Sequence, residues 1–99
     1  MITKVQAKLI ADNANNFLPT DASLLNETRT GNVLLDEANH LVIWNAGRGM
    51  YTGYLPLSIA AGVYTQTIVI NFISALNSLG YTVTDKQGPN ADEIKIEWS

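Results

Sequence analysis

The sequence predicts a small single α+β domain: two N-terminal helical segments, an edge strand, one central helix and a C-terminal antiparallel β-hairpin. Three observations support this. Ile68, Val69, Phe72, Ile73, Leu76 and Leu79 recur at helical spacing, and Gly80 follows as a left-handed stop. Ile94, Ile96 and Trp98 then alternate with Lys95 and Glu97, the period of a strand with one buried face. Finally, 99 residues suffice for one core and not for two. The chain 1–99 is therefore read as one domain, with an N-terminal helix over 1–18 and a helix–hairpin unit over 64–99.

At the N-terminus, Thr3 and Gln6 have the spacing of a capping box. Ala7, Ile10, Ala11, Ala14, Phe17 and Leu18 fall on one face of the helix they open. Pro19 ends it, because the residue before a proline is pushed out of helical geometry. Residues 20–23 form a turn rich in capping oxygens, and 24–32 is either a helical turn or two or an irregular loop. Over 33–46, Leu34, Leu35, Ala38, Leu41, Val42 and Asn45 lie near helical spacing, closed by Gly47 and Gly49. Two short strands, 33–35 and 41–44, are the rival reading, supported by β-branched content in 41–44; the helix is preferred. The aromatic and threonine content of 50–57 suits a strand, and Pro56, which has no N–H, confines that strand to a sheet edge. Residues 58–63 are small and apolar without period, the pattern of a close-packed connection or a contact surface. In the next helix Ile70 widens the apolar face, so burial on more than one side is expected. Tyr81 and Val83 share one face of the following strand, and residues 87–90 supply the hairpin loop.

Composition narrows function. Charged residues make up 15% of the chain, against a usual figure of about 25%. Interfaces exclude charge from their centres, so a charge-poor surface points to a subunit that is partly covered. The net charge is -3 and the six lysines and arginines are scattered. Nucleic-acid binding needs a concentrated basic face and is set aside. The absence of cysteine removes disulfides, thiolate metal sites and cysteine nucleophiles. The first residues lack the apolar core of a signal peptide, and no apolar run approaches the ~20 residues of a membrane span.

Few residues carry chemistry. Asp36 and His40 would share a helix face, but one carboxylate and one imidazole fall short of the three protein ligands a metal centre normally uses. A solvated surface is the favoured reading. Gly47-Arg48-Gly49 follows an element instead of opening a helix, so it reads as a loop and not as a phosphate cradle. Asp85, Asp92, Glu93 and Glu97 make the hairpin acidic without the spacing of a calcium loop. No catalytic, cofactor-binding or metal-binding residue is assigned, and no cofactor is expected. Tyrosine is frequent at interface hot spots. Tyr51, Tyr54, Leu55, Leu57 and Ile59, on and after the proline-ended strand, are therefore the candidate partner contacts.

The pattern Leu79-Gly80-Tyr81-Thr82-Val83, a short polar loop, and a closing strand Ile94-x-Ile96-x-Trp98 resembles small virion structural proteins of tailed bacteriophages, including those of cyanophages and other marine phages. The helix, glycine turn and tyrosine-bearing strand over 45–57 are also similar, so the resemblance covers about half of the chain; 57–63 departs from it. It implies a structural role in the particle, as a head-associated decoration or cement protein or in the neck or tail. It further implies multimeric contacts with itself or other virion proteins, and a protein made in the host cytoplasm. It carries no catalytic residue across. A free adaptor or inhibitor binding a host protein through its edge strand is the alternative.

Overall fold

The computed structural model describes residues 1–57, 65–87 and 93–99. Helix α1 (Lys4–Asn15) is followed by a 3-10 turn (Ala22–Leu25), helix α2 (Val33–Gly47), strand β1 (Thr52–Pro56), helix α3 (Gln66–Ser78) and strands β2 (Thr82–Gln87) and β3 (Glu93–Glu97). The α+β prediction holds in element order and type. The three strands form one antiparallel sheet in the order β1-β3-β2, so β2 and β3 pair as the predicted hairpin and β1 lies at an edge. Residues 33–46 are helical, which settles the alternative in favour of the helix.

Each helix opens on a side-chain cap. Thr3 Oγ1 accepts from the Gln6 N–H at 3.3 Å while Gln6 Oε1 accepts from the Thr3 N–H at 2.9 Å, the full capping box. Asn32 caps α2 at the Leu35 N–H, and Thr65 caps α3 at the Ile68 N–H. Each helix also closes in the same way. After α2, Gly49 N–H donates to Ala46 C=O and Met50 N–H to Asn45 C=O; after α3, Gly80 N–H donates to Asn77 C=O and Tyr81 N–H to Leu76 C=O. These paired bonds are Schellman motifs, with glycine in the left-handed region at φ 80° and 96°. After α1 the same two bonds run from Phe17 to Ala14 and from Leu18 to Asn13, but the left-handed residue is Phe17, at φ 56°.

That cap corrects the first helix. It ends at Asn15 and not at 18, and Phe17 and Leu18 leave the apolar face they were expected to extend. Phe17 is 96% exposed. The turn of the chain at Asn16 points both side chains away from the core, whereas Ala7, Ile10 and Ala11 are fully buried.

The core lies between the helices and one face of the sheet. Ile94 and Ile96 of the central strand, and Trp98 just after it, are entirely inaccessible to solvent, and Leu55, Phe72, Leu76 and Tyr81 close around them. Helix α2 carries the most buried side chains, with Leu34, Ala38, Asn39, Val42, Ile43 and Ala46 all enclosed. Helix α3 buries Phe72 and Leu76, half-buries Val69, Ile73 and Leu79, and leaves Ile68 and Ile70 exposed. Burial of α3 on more than one side is thus not met among the described residues. The opposite sheet face is polar, with Lys95 Nζ 3.6 Å from Glu97 on it.

The N-terminus is tied to the rest at three places. Lys4 N–H donates to Leu79 C=O at 2.9 Å, and Ile2 N–H to Oδ1 of Asn39, the one buried polar side chain among the described residues, at 3.0 Å. The Tyr81 hydroxyl donates to Ile2 C=O at 2.8 Å. Burial pushes the Tyr81 phenol well above the usual tyrosine range, because the ionised form would lose its hydration. The folded state therefore keeps a proton that the unfolded chain releases near pH 10, and stability falls as the pH rises past that point. Urea denaturation between pH 7 and 11 should show this decline, and Tyr81→Phe should flatten it. At neutral pH the same substitution should cost about 1 kcal/mol for the lost bond.

Candidate interaction surface

The sequence-predicted contact residues separate into two groups. Tyr51 turns inward: its hydroxyl donates to Asp12 Oδ1 and accepts from Asn15 Nδ2, fixing the end of α1. That donated bond is the main reason the Asp12 carboxyl sits below the usual range, with Lys8 adding to it. Leu55 is buried in the core and Leu57 packs half-buried against it. Ile59 lies outside the described residues. Of the five, Tyr54 alone among the described ones presents a largely open side chain, 48% exposed.

Tyr54 stands at the free edge of the sheet. Trp98 N–H donates to Tyr51 C=O at 2.9 Å. Since antiparallel pairing alternates, Gly53 and Leu55 bond toward β3, while Thr52, Tyr54 and Pro56 direct their main-chain groups outward. That edge is short. Asn45 Nδ2 already occupies Thr52 C=O at 3.1 Å, and Pro56 has no N–H to give. Both are devices that blunt an edge against further pairing.

Helix α2 runs beside this edge, and a groove of about 350 Å³ opens between them. Leu34, Leu41, Leu55 and Pro56 form its apolar lining, with Glu37, His40, Trp44 and Tyr54 around it. Trp44 is 60% exposed. The His40 ring stacks on Trp44, centroids 6.4 Å apart and planes 19° from parallel, and its Nδ1 lies 2.9 Å from Glu27 Oε2. Asp36 does not join His40. Its Oδ1 accepts from the N–H and hydroxyl of Thr30, at 2.8 and 2.9 Å, and the backbone bond holds its carboxyl below the usual range. Asp36 thus secures the loop before α2, while His40 bonds Glu27.

Gly47-Arg48-Gly49 is the C-terminal cap of α2, in keeping with the loop reading. Gly49 is required twice: its φ is 80°, and a Cβ there would press into Asn15, whose Nδ2 donates to Gly49 C=O at 3.1 Å. This bond joins the ends of α1 and α2. Phe17, Leu18 and Met50, all exposed, therefore leave the molecule at one end. A second apolar stretch, Val5 and Leu9, lies on the outer face of α1, and Ile68 and Ile70 are exposed on different faces of α3.

Among the described residues no group of three histidines or carboxylates is placed to hold a metal ion, and no helix is long and apolar enough to cross a membrane. Comparison of the chain with protein-family models, curated proteins and solved structures finds no match. The class defined by fold and surface is accordingly a small α+β domain with several exposed apolar areas.

Proposed function

We propose that this chain is a non-enzymatic structural subunit of a phage particle, a head-associated decoration or cement protein or a neck or tail component, acting through contacts with copies of itself or with other particle proteins. The observation that carries this reading is Phe17. Two helices end on glycine in the left-handed region, where glycine adopts positive φ without steric cost. The first ends on a phenylalanine that is strained in that conformation and 96% exposed. At that exposure the ring gains almost no burial against the described residues, and a partner surface would supply it. Leu18 and Met50 beside it, the exposed isoleucines of α3 and the charge-poor composition support the same reading. So does the resemblance carried by 79–83 and 94–98.

Strand addition at β1, the mode of a free adaptor, fits less well. One outward carbonyl is already bonded to Asn45 and one outward N–H is missing at Pro56, leaving a single residue, Tyr54, with both groups free to pair an incoming strand. The test combines light scattering of the purified chain with mass spectrometry of purified particles. Multimers, or stoichiometric copies in particles, are expected. A monodisperse monomer that is also absent from particles would overturn the proposal.

A further inference from the structure

We infer that the groove between α2 and β1 is a receptor for one arginine side chain of a partner protein. Its walls and rim differ in chemistry. Leu34, Leu41, Leu55 and Pro56 offer an apolar bed for a methylene stem, and Trp44 and Tyr54, one from each element, bring aromatic rings to the same cavity. Aromatic faces attract cations, most strongly when the cation is partly desolvated. Glu37 lines the groove and has no hydrogen-bond or ion-pair partner among the described residues.

The occupant follows from charge. An anion would meet the Glu37 carboxylate, with no lysine or arginine in the groove lining to offset it. A purely apolar ligand would strip water from that carboxylate with nothing in return. A cation on an apolar stem satisfies bed, rings and carboxylate together. Of the basic groups nearby, His40 is engaged with Glu27 at 2.9 Å, Lys95, paired across the ladder with Tyr54, lies 3.6 Å from Glu97, and Arg29 lines the adjoining cavity with Glu37 and His40 and acts electrostatically on Asp36 without an ion pair to Glu37. Arginine suits the site better than lysine, since its planar guanidinium stacks on aromatic rings and can bond a carboxylate through two N–H groups. The volume, about 350 Å³, lies at the small end of the range of ligand pockets and matches one side chain better than a whole helix. This surface is distinct from the Phe17 end, so the inference stands or fails independently of the particle reading.

The test is a titration of the full chain, followed by NMR at the Trp44 indole N–H and the Tyr54 amide. The probes are N-acetyl-arginine methylamide and its norleucine counterpart. Saturable shifts at both positions with the arginine probe are expected, with norleucine weaker by about tenfold. Glu37→Gln should weaken arginine binding about threefold and Trp44→Ala about tenfold, both with the remaining spectrum unchanged because these side chains are exposed. Equal binding of norleucine would overturn the inference in favour of a plain apolar groove. Concentration-dependent shifts at Trp44 without any probe would overturn it in favour of a second copy of this chain. So would the absence of any shift at either position.

Discussion

Trp98→Ala is expected to lower stability by about 3–5 kcal/mol, a large part of the roughly 5–15 kcal/mol that holds a domain of this length together. The reason is position. Trp98 is the largest fully buried side chain, it packs edge-on against Tyr81 with planes 86° apart, and its Nε1–H donates to Met50 C=O at 2.9 Å. It also ties β3 to the residue preceding β1, through its own N–H and the Tyr51 carbonyl. Truncation opens a cavity at the junction of sheet, hairpin and α2 end, and it leaves the Met50 carbonyl without its donor. Trp98→Phe should retain about half of the stability lost in the alanine variant, because the ring volume is largely kept while the bond to Met50 is lost. Trp44→Ala is the internal control: its side chain is exposed, and a change within about 0.5 kcal/mol is expected. Urea denaturation followed by circular dichroism separates the three. Comparable losses for the two alanine variants would contradict the assignment of Trp98 to the core and Trp44 to the surface.

The contrast between the two tryptophans also shows what the sequence could disclose. Strand periodicity put Trp98 with Ile94 and Ile96 on a buried face, and all three are buried. Nothing local distinguished Trp44. Its exposure depends on α2 being enclosed by α1 on one flank and β1 on another, with only a narrow stripe left for the groove. The same enclosure explains why 33–46 was hard to read. A helix buried on two sides loses the polar stripe that makes a helical period visible, so the β-branched residues of 41–44 competed as a strand. Helix α3, by contrast, gave the clearest period because it is peripheral; an amphipathic pattern records a boundary with solvent. The groove itself was not legible. It joins side chains of 34–44 with those of 54–56, and no spacing rule links a helix face to a strand edge across a turn. The blunted edge was half legible: Pro56 announced it, while the Asn45 contact with Thr52 needed the fold.

Phe17 was misread for a specific reason, and its correction yields the second large prediction. Pro19 is a strong stop, and it drew the end of the helix toward itself; the Asn15-Asn16 pair, poor in helix propensity, was the signal that the helix ends earlier. Phe17→Gly is expected to stabilise the isolated chain by about 1 kcal/mol, because glycine removes the left-handed strain as it already does at Gly49 and Gly80. For a domain of this size that is a rise of about 4–8 °C in Tm. The same variant should weaken assembly by about 2 kcal/mol or more, roughly thirtyfold, because an exposed aromatic anchor is the type of residue on which interfaces concentrate their binding energy. Phe17→Ala separates the two effects. It keeps an L-residue at positive φ, so stability should stay near that of the wild type, while association should fall as far as with glycine. Thermal unfolding and sedimentation of the three proteins provide both readouts. Unchanged association in both variants would remove Phe17 from the contact surface, and with it the observation on which the subunit reading most depends. A glycine variant no more stable than the alanine variant would instead show that the turn at Phe17 carries no strain to relieve.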